Sequence, residues 1–169
     1  IALCKTLGLA VYSRVATGAR VAIQKALDSG ADGVIIPQIQ NTEHARSVTA
    51  FAKYPPLGSR GVGYNRTMGY AATDTGFYER ENLRCRCYPM VETPGALEEA
   101  HLIATLPTVD GLFLGPSDLS LTRGRGPNRW TQEDIADAER VIKCAQHAGK
   151  SWAMPAPTAA SFDFARANG

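Results

Sequence analysis

The sequence has few cysteines, no surplus of charge of one sign and no long apolar run. Its 169 residues include four Cys, and 18 Lys and Arg stand against 16 Asp and Glu, for a net charge of +2. This balance argues against nucleic acid or an anionic membrane as a partner. No apolar run reaches the roughly 18 residues of a membrane span, and the opening residues are interrupted by Lys5 without a small-residue cleavage pattern. We therefore expect a cytoplasmic protein with neither a membrane span nor a signal peptide.

The cysteines are too scattered to form a disulfide framework. They are Cys4, Cys85, Cys87 and Cys144. Only Cys85 and Cys87 are close together, on the same face of a predicted strand, and a zinc site needs more ligands and a loop of the C-x-x-C type. We therefore predict that both are buried strand residues.

Five short apolar runs alternate with amphipathic stretches, which predicts an α/β fold with a parallel sheet in a single domain over residues 1–169. The runs are Leu7–Val15, Gly33–Ile39, Cys85–Val91, Val109–Leu114 and Ser151–Pro155. Helix start and stop residues separate them. The first predicted helix runs from Ala19 to Asp28 and stops at Gly30. Later helices are predicted to start at Asn41 or Thr42, at Thr93 before Pro94, at Thr131 with Asp134, and near Thr158, and Gly149 stops the helix that starts at Thr131.

The stretch from Pro56 to Arg84 breaks this rhythm and predicts a long functional loop or cover with a weak helical segment at Phe77–Asn82. Its Gly61-Val62-Gly63 segment lacks the third glycine and the preceding strand of a dinucleotide fingerprint. A nucleotide-binding fold is therefore not favoured.

Polar residues follow the predicted strands, at the edge of a βα sheet where active sites collect. Arg14 ends the first run, Gln38 the second, Glu92 the third and Asp118 the fourth. Two carboxylates with open positions for water and substrate suit Mg²⁺ or Mn²⁺, and an arginine beside them would stabilise an oxyanion. Each carboxylate taken singly could instead be a helix-capping residue.

The histidines are weaker candidates, because none of the three ends a strand. His44 lies in the first turn of a predicted helix, His101 in the middle of one and His147 near a helix C-terminus. We predict that they are surface or helix-end residues.

Five segments in the same order resemble the metal-dependent 2-oxo-acid aldolases of the HpcH/HpaI group. The glycine-proline-small-Asp-Leu-Ser segment is the most specific of them. They are ALDSGA at 26–31, VIIP at 34–37, YPPLGSRGVG at 54–63, VET at 91–93 and VDGLFLGPSDLS at 109–120.

The resemblance implies a divalent metal, Mg²⁺ or Mn²⁺ with Co²⁺ as a further option, bound by Glu92 and Asp118 and chelated by the 2-oxo acid. It also implies that Arg14 stabilises the enolate oxygen and that backbone N–H groups around Ser117 and Asp118 receive the substrate carboxylate. Asp28 matches the aspartate that raises the basicity of a catalytic histidine.

Met90 stands where the family commonly has a Gln that contacts substrate. The family's general-base histidine lies upstream of the segment that matches residue 1. The resemblance further implies a (β/α)₈ barrel of the phosphoenolpyruvate/pyruvate type, of which these five runs correspond to strands three to seven. Since such barrels need about 200 residues or more, the chain is either part of a longer one or a remnant of a barrel, and we expect the former. Trimer-based homo-oligomers, often hexamers, are implied as well.

The implied activity is reversible cleavage of a 4-hydroxy-2-oxo acid to pyruvate, or a similar 2-oxo acid, and an aldehyde. Two alternatives remain, a CoA-ester lyase of the citrate-lyase β-subunit or malyl-CoA type and a non-catalytic fragment. The YPPLGSRG run argues for the aldolases over the CoA-ester lyases. The loop at 121–129 carries Arg123, Arg125 and Arg129, which would receive an acidic aldehyde, bind a neighbouring subunit or simply be solvated.

Overall fold

The computed structural model describes residues 1–169 and contains one five-stranded parallel sheet. The strand order follows the chain, and each strand pairs in parallel with its neighbours. The strands are β1 (Tyr12–Arg14), β2 (Gly33–Ile36), β3 (Arg86–Val91), β4 (Gly111–Leu114) and β5 (Ser151–Ala153). The predicted α/β fold with a parallel sheet is confirmed.

Nine α-helices connect or flank the strands. They are α1 (Ala2–Thr6), α2 (Arg20–Asp28), α3 (Thr42–Thr49), α4 (Phe77–Arg84), α5 (Pro94–Glu98), α6 (Ala100–Thr105), α7 (Pro116–Thr122), α8 (Gln132–His147) and α9 (Ala159–Ala167). Short 3₁₀ turns lie at Ala50–Ala52 and Arg66–Met68. No helix has both the length and the apolar character needed to cross a membrane.

The predicted helix starts are confirmed, because each polar cap accepts a hydrogen bond from a backbone N–H in the first turn. Asn41 accepts from His44, Thr93 from Ala96, and Thr158 from Ser161. At the start of α8, Thr131 and Asp134 form a reciprocal capping box. The predicted helix after Thr93 is divided into α5 and α6 at Glu99. The Glu99 carboxylate accepts a hydrogen bond from the backbone N–H of Thr42 at 2.7 Å.

The first predicted strand, Leu7–Val15, was too long. Only Tyr12–Arg14 pairs with β2. Leu7 and Leu9 are 68% and 53% exposed, and Gly8 between them has a left-handed φ of +72° that breaks extended structure. An apolar run alone therefore did not distinguish a strand from an exposed turn after α1.

The core lies between the sheet and the helices. Alternate strand residues such as Val34, Ile36, Cys87 and Leu112 are fully buried against the helices in one cluster of 25 residues. The residues between them point to the opposite, concave face. That face is apolar and is lined by Tyr12, Ile35, Tyr88, Phe113 and Ala153.

Cys85 and Cys87 are buried as predicted, but only Cys87 lies on a strand, because Cys85 ends α4 and precedes β3. All four cysteines are free thiols. Burial raises the pKa of Cys87 to about 12, so this thiol stays protonated at neutral pH. The chain contains no group of three or more His, Cys, Asp or Glu side chains placed to hold a metal ion. Cys85 and Cys87 are therefore part of the core.

Candidate active site

Glu92 lies at the carboxyl end of β3 and is almost completely buried, with 1% of its surface exposed. One carboxylate oxygen, Oε1, accepts hydrogen bonds from the backbone N–H of Gln38 at 2.6 Å and from its Nε2 at 3.1 Å. The other oxygen, Oε2, is buried without any hydrogen-bond partner. A buried carboxylate oxygen left without a donor is costly unless a cation or ligand binds it.

Gln38 holds Glu92 in place because of an unusual backbone turn. Its φ of +58° is left-handed, a region that non-glycine residues seldom occupy. This turn after β2 directs both the N–H and the side chain of Gln38 at the same carboxylate oxygen. Sequence analysis located Gln38 at a strand end but assigned it no role. Its role as a hydrogen-bond donor to Glu92 is seen only in the folded structure.

The segment after Glu92 is fixed as well. The Thr93 hydroxyl caps α5 and also donates to the carbonyl of Ile39 at 2.6 Å, which ties the ends of β2 and β3 together. The Thr122 hydroxyl lies 3.3 Å from the Glu92 carbonyl oxygen. The carboxylate is thus positioned in advance by its neighbours, as a site on a rigid element requires.

Gly115 provides the space that Glu92 occupies. A Cβ at Gly115 would lie 2.7 Å from both Cβ and Oε2 of Glu92, a distance that real atoms do not tolerate. Gly115 is followed by Pro116 at the start of α7, which places Asp118 in the first turn of that helix. The glycine therefore allows the two carboxylates to come close together.

The charged groups at the carboxyl edge of the sheet shift the pKa of Glu92. Burial raises the pKa of the Glu92 carboxyl, and the nearby Asp118 carboxylate raises it further. The Gln38 N–H and the charge of Arg14 act in the opposite direction but do not cancel the increase. Two adjacent carboxylates, one with a free buried oxygen, form a hard-oxygen donor set that fits a divalent cation such as Mg²⁺ or Mn²⁺.

Arg14 completes the cluster from β1. It is the last residue of that strand, in register with Ile35 of β2, and its side chain is exposed and close enough for its charge to act on Glu92. Tyr12, two residues earlier, lines the concave face of the sheet, so Arg14 extends from the same face. Three predicted site residues from separate segments, Arg14, Glu92 and Asp118, are therefore brought together.

Comparison with known proteins identifies the family. The family model described as HpcH/HpaI aldolase/citrate lyase matches residues 1–154. The chain belongs to this family. The resemblance predicted from the five sequence segments is confirmed.

A 2-dehydro-3,6-dideoxy-6-sulfogluconate aldolase from Pseudomonas putida is 39% identical over 134 residues, which cover 78% of this chain and 52% of that protein. A 4-hydroxy-2-oxo-heptane-1,7-dioate aldolase from Klebsiella pneumoniae is 34% identical over 139 residues, 78% of this chain and 50% of that protein. The chain thus spans about half the length of these relatives.

A crystal structure of an HpcH/HpaI aldolase from Desulfitobacterium hafniense superposes with a TM-score of 0.89 at 28% identity. The match covers 99% of this chain and 66% of that chain. The five parallel strands and their helices therefore have the arrangement of part of the family's TIM-type barrel, as the sequence predicted.

Two other residues at predicted substrate-binding positions lie beside the carboxylates. Met90 is on β3, 5% exposed, and its Cε approaches the same Gly115 that makes room for Glu92. Ser117 is exposed in the first turn of α7, next to Asp118. Both positions are compatible with contact to a ligand at the Glu92 and Asp118 pair.

The structure does not bring Asp28 to this cluster. Asp28 ends α2, which runs back from the carboxyl ends of the strands toward their amino ends. There its carboxylate pairs with the buried Arg60 at 2.7 Å and accepts from Asn65 at 3.0 Å. Within this chain Asp28 is an ion-pair partner at the opposite edge, so the role implied by the resemblance stays a prediction.

Proposed function

We propose that this chain carries the metal and substrate site of an aldolase that cleaves a 4-hydroxy-2-oxo acid into pyruvate, or a similar 2-oxo acid, and an aldehyde. The observation that carries the proposal is the buried, unpartnered Oε2 of Glu92 beside Asp118. Membership of an aldolase family and the aldolase names of the relatives support it.

Glu92 and Asp118 would hold a divalent cation, Mg²⁺ or Mn²⁺ with Co²⁺ as a further option. When bound, such a cation supplies Lewis-acid polarisation of the 2-oxo group. Gln38 keeps the Glu92 carboxylate oriented through Oε1 and leaves Oε2 for the cation. Two protein ligands leave positions open for water and for the chelating oxygens of a 2-oxo acid.

Arg14 supplies the charge that the reaction needs. As the carbon-carbon bond breaks, negative charge develops on the 2-oxo oxygen, and a guanidinium aimed at that oxygen stabilises the transition state more than the ground state. Backbone N–H groups in the first turn of α7, around Ser117 and Asp118, would receive the substrate carboxylate. The exposed position of Arg14 at the end of β1 leaves its donors free for this role.

Cleavage also requires a base for the proton of the 4-hydroxyl group. None of the three histidines hydrogen-bonds to Glu92 or Asp118, and the Nδ1 of His44 instead lies 3.2 Å from the backbone nitrogen of Gln40. The proposal therefore assigns the metal, enolate and carboxylate contacts to this chain and leaves the base unassigned.

The test is an assay with pyruvate and an aldehyde, run on this chain alone and on the longest form of the protein that contains it. Activity that EDTA removes and Mn²⁺ restores is the expected result. A covalent adduct trapped by borohydride in the presence of pyruvate would replace the metal mechanism with a Schiff base. Cleavage of a malyl-CoA-type thioester without aldolase activity would favour the CoA-ester lyase. If the longest form of the protein folds but catalyses neither reaction, a structural role would be favoured.

We also propose identical subunits as partners, following the trimer-based assemblies of the family. Light scattering on the longest form of the protein tests this, and a monomeric mass would contradict it.

A further inference from the structure

Gln38 lies in the turn between β2 and α3, in a conformation that its side chain disfavours. Its φ is +58°, and residues other than glycine seldom occupy this left-handed region. Both hydrogen bonds from Gln38 to Oε1 of Glu92 start from this conformation, which directs the backbone N–H and the side chain at one atom. Contacts from other residues must therefore stabilise the turn.

Gln40 supplies the first of these contacts. Its side-chain Nε2 donates to the backbone carbonyl oxygen of Gln38 at 2.8 Å, two residues back along the chain. This bond fixes the orientation of the peptide group between Gln38 and Ile39, which the backbone dihedral angles of Gln38 determine. Gln38 therefore cannot leave its left-handed conformation without breaking the bond to Gln40.

His44 fixes the position of Gln40. The backbone N–H of Gln40 donates to Nδ1 of His44, in the first turn of α3, at 3.2 Å. Nδ1 accepts a hydrogen bond only in the neutral imidazole that carries its proton on Nε2. This end of the helix is itself ordered, because Asn41 caps it by accepting the N–H of His44 at 2.8 Å. His44 therefore connects a capped helix end to the turn.

The segment after Glu92 packs against the same turn. A Cβ at Gly95 in α5 would collide with the carbonyl oxygen of Gln40, so the backbone of the turn lies directly on that helix. The carbonyl oxygen of Ile39 accepts from the Thr93 hydroxyl. The turn and the carboxylate are therefore fixed relative to each other, and a shift of Gln40 is transmitted to Gln38 rather than absorbed by the loop.

We propose that Gln40 and His44 are positioning residues for Glu92 and that they act by keeping Gln38 in its left-handed conformation. The inference rests on the proposed function for the ligand, a divalent cation at Oε2. With Gln38 in place, Oε1 has two donors and Oε2 has none. Without these bonds the Glu92 side chain is free to rotate, and a cation must then order it on binding, which lowers the affinity.

The first experiment measures Mn²⁺ affinity by electron paramagnetic resonance in variants of His44. His44→Leu keeps good helix propensity but offers no acceptor to the Gln40 N–H, and the affinity falls about 3- to 10-fold, the range for one lost neutral hydrogen bond. His44→Asn offers Oδ1 at the same distance from the backbone as Nδ1 and keeps the affinity within about twofold of the wild type. His147→Leu is the matched control, because that histidine is exposed at the end of α8.

Variants of Gln40 test whether the effect passes through Gln38. Gln40→Met keeps the length of the side chain without its donor, and Mn²⁺ affinity falls about 3- to 10-fold. Glycine adopts a left-handed φ without steric cost, so in a Gln38→Gly background the same change lowers the affinity by less than about twofold. Gln146→Met is the control, because the Gln146 amide donates to the distant Asn168 carbonyl.

The second experiment uses the metal-free protein and requires no turnover. Hydrogen exchange at the Gln38 N–H, resolved by mass spectrometry with electron-transfer fragmentation, reports how often its bond to Glu92 opens. His44→Leu and Gln40→Met accelerate this exchange about 3- to 10-fold, whereas His44→Asn does not. Amides of β4 exchange as in the wild type, and an unchanged urea midpoint shows that each variant is folded.

The outcomes separate the two proposals. Wild-type Mn²⁺ affinity and wild-type exchange at Gln38 in both His44→Leu and Gln40→Met overturn the inference and leave the aldolase proposal intact. Equal losses in His44→Asn and His44→Leu also overturn it, because the acceptor atom would then not be the cause. A wild-type protein that binds no Mn²⁺ contradicts the proposed function, and the exchange of the Gln38 N–H in the variants then decides the inference by itself.

Discussion

The charged side chains at the two edges of the sheet differ in whether they are paired. At the amino edge, the fully buried Lys53 binds Asp110 at 2.7 Å, and Asp32 binds both Lys5 and Arg84. At the carboxyl edge, Glu92 has a buried oxygen with no partner, and the guanidinium of Arg14 is unpaired. The first edge uses its charges to hold elements together, whereas the second leaves them available for a ligand. This division is common in βα barrels, whose active sites lie at the carboxyl ends of the strands.

The largest effect is expected when the charge of the buried Glu92 carboxylate is removed. Glu92→Gln keeps the size of the side chain and an acceptor for the Gln38 N–H but removes the charge. We expect Mn²⁺ affinity to fall by more than about 100-fold and activity to fall with it, because losing a direct ligand costs more than losing an outer contact.

The same variant should not weaken the metal-free fold. Removing an uncompensated buried charge leaves the free energy of unfolding equal or higher. Mn²⁺ titration by electron paramagnetic resonance and urea unfolding measure the two quantities. Unchanged Mn²⁺ binding, or clear destabilisation of the metal-free protein, would contradict the assignment of Glu92 to a ligand site.

The opposite result is expected at the amino edge. Lys53 donates to the carbonyls of Asn82 and Cys85 as well as to Asp110, and its side chain is 1% exposed. Lys53→Met leaves Asp110 without its buried cation, which costs about 3 kcal/mol of unfolding free energy. Urea unfolding checks this, and Mn²⁺ affinity of the folded variant should not change.

A double variant provides the control. In Lys53→Met, only the exposed Arg86, 3.5 Å away, still pairs with Asp110. Adding Asp110→Asn removes that poorly compensated charge and should recover part of the lost stability. If the double variant were as unstable as the sum of the two single variants, the pair would not be acting as a unit.

Arg14 separates catalysis from both metal binding and folding. Arg14→Ala should leave Mn²⁺ affinity within a few-fold and the free energy of unfolding nearly unchanged, since the side chain is exposed and has no ion-pair partner. Turnover should fall about 10²- to 10³-fold, the cost of one lost oxyanion contact. Arg14→Lys should not restore it fully, because an ammonium cannot reproduce the planar fork of a guanidinium. Near-native turnover of Arg14→Ala would place the enolate contact elsewhere.

The sequence predicted those features that depend on local patterns or on the common direction of parallel strands. Helix caps such as Thr93 and Thr131 are set by residues within one turn, so they could be recognised directly. Arg14, Glu92 and Asp118 could be placed together because each follows a strand, and strand ends meet at one edge of the sheet.

Features that depend on contacts between distant segments could not be predicted in this way. Gln38 acts on Glu92 across 54 residues and through a left-handed φ that the sequence does not signal. The three loop arginines look equivalent in the sequence, and only the fold pairs Arg123 and Arg125 with α8 and leaves Arg129 free. Asp28 matches a family pattern, yet helix geometry carries it to the other edge.

The smallest expected effect concerns Asp134, in the first turn of α8, which pairs with Arg125 of the preceding loop. Burial raises the pKa of Asp134, but hydrogen bonds from the Thr131 backbone and from Arg125 lower it more, so it lies below its ordinary value in the folded protein. A carboxyl group with a lowered folded pKa stabilises the fold above its unfolded pKa of about 3.9, and this contribution is lost as the pH falls through the folded value. Asp134→Asn should therefore cost about 1 kcal/mol at pH 7.

The difference between Asp134→Asn and the wild type should shrink as the pH falls below about 4. Urea unfolding at a series of pH values from neutral to acid measures it. Glu139→Gln on the same helix is the matched control, because its partner Lys143 is exposed and such surface pairs contribute little. A stability difference for Asp134→Asn that stayed constant across this pH range would show that the Asp134 charge does not stabilise the folded protein, and the pairing of Arg125 with α8 would then need another source of stability.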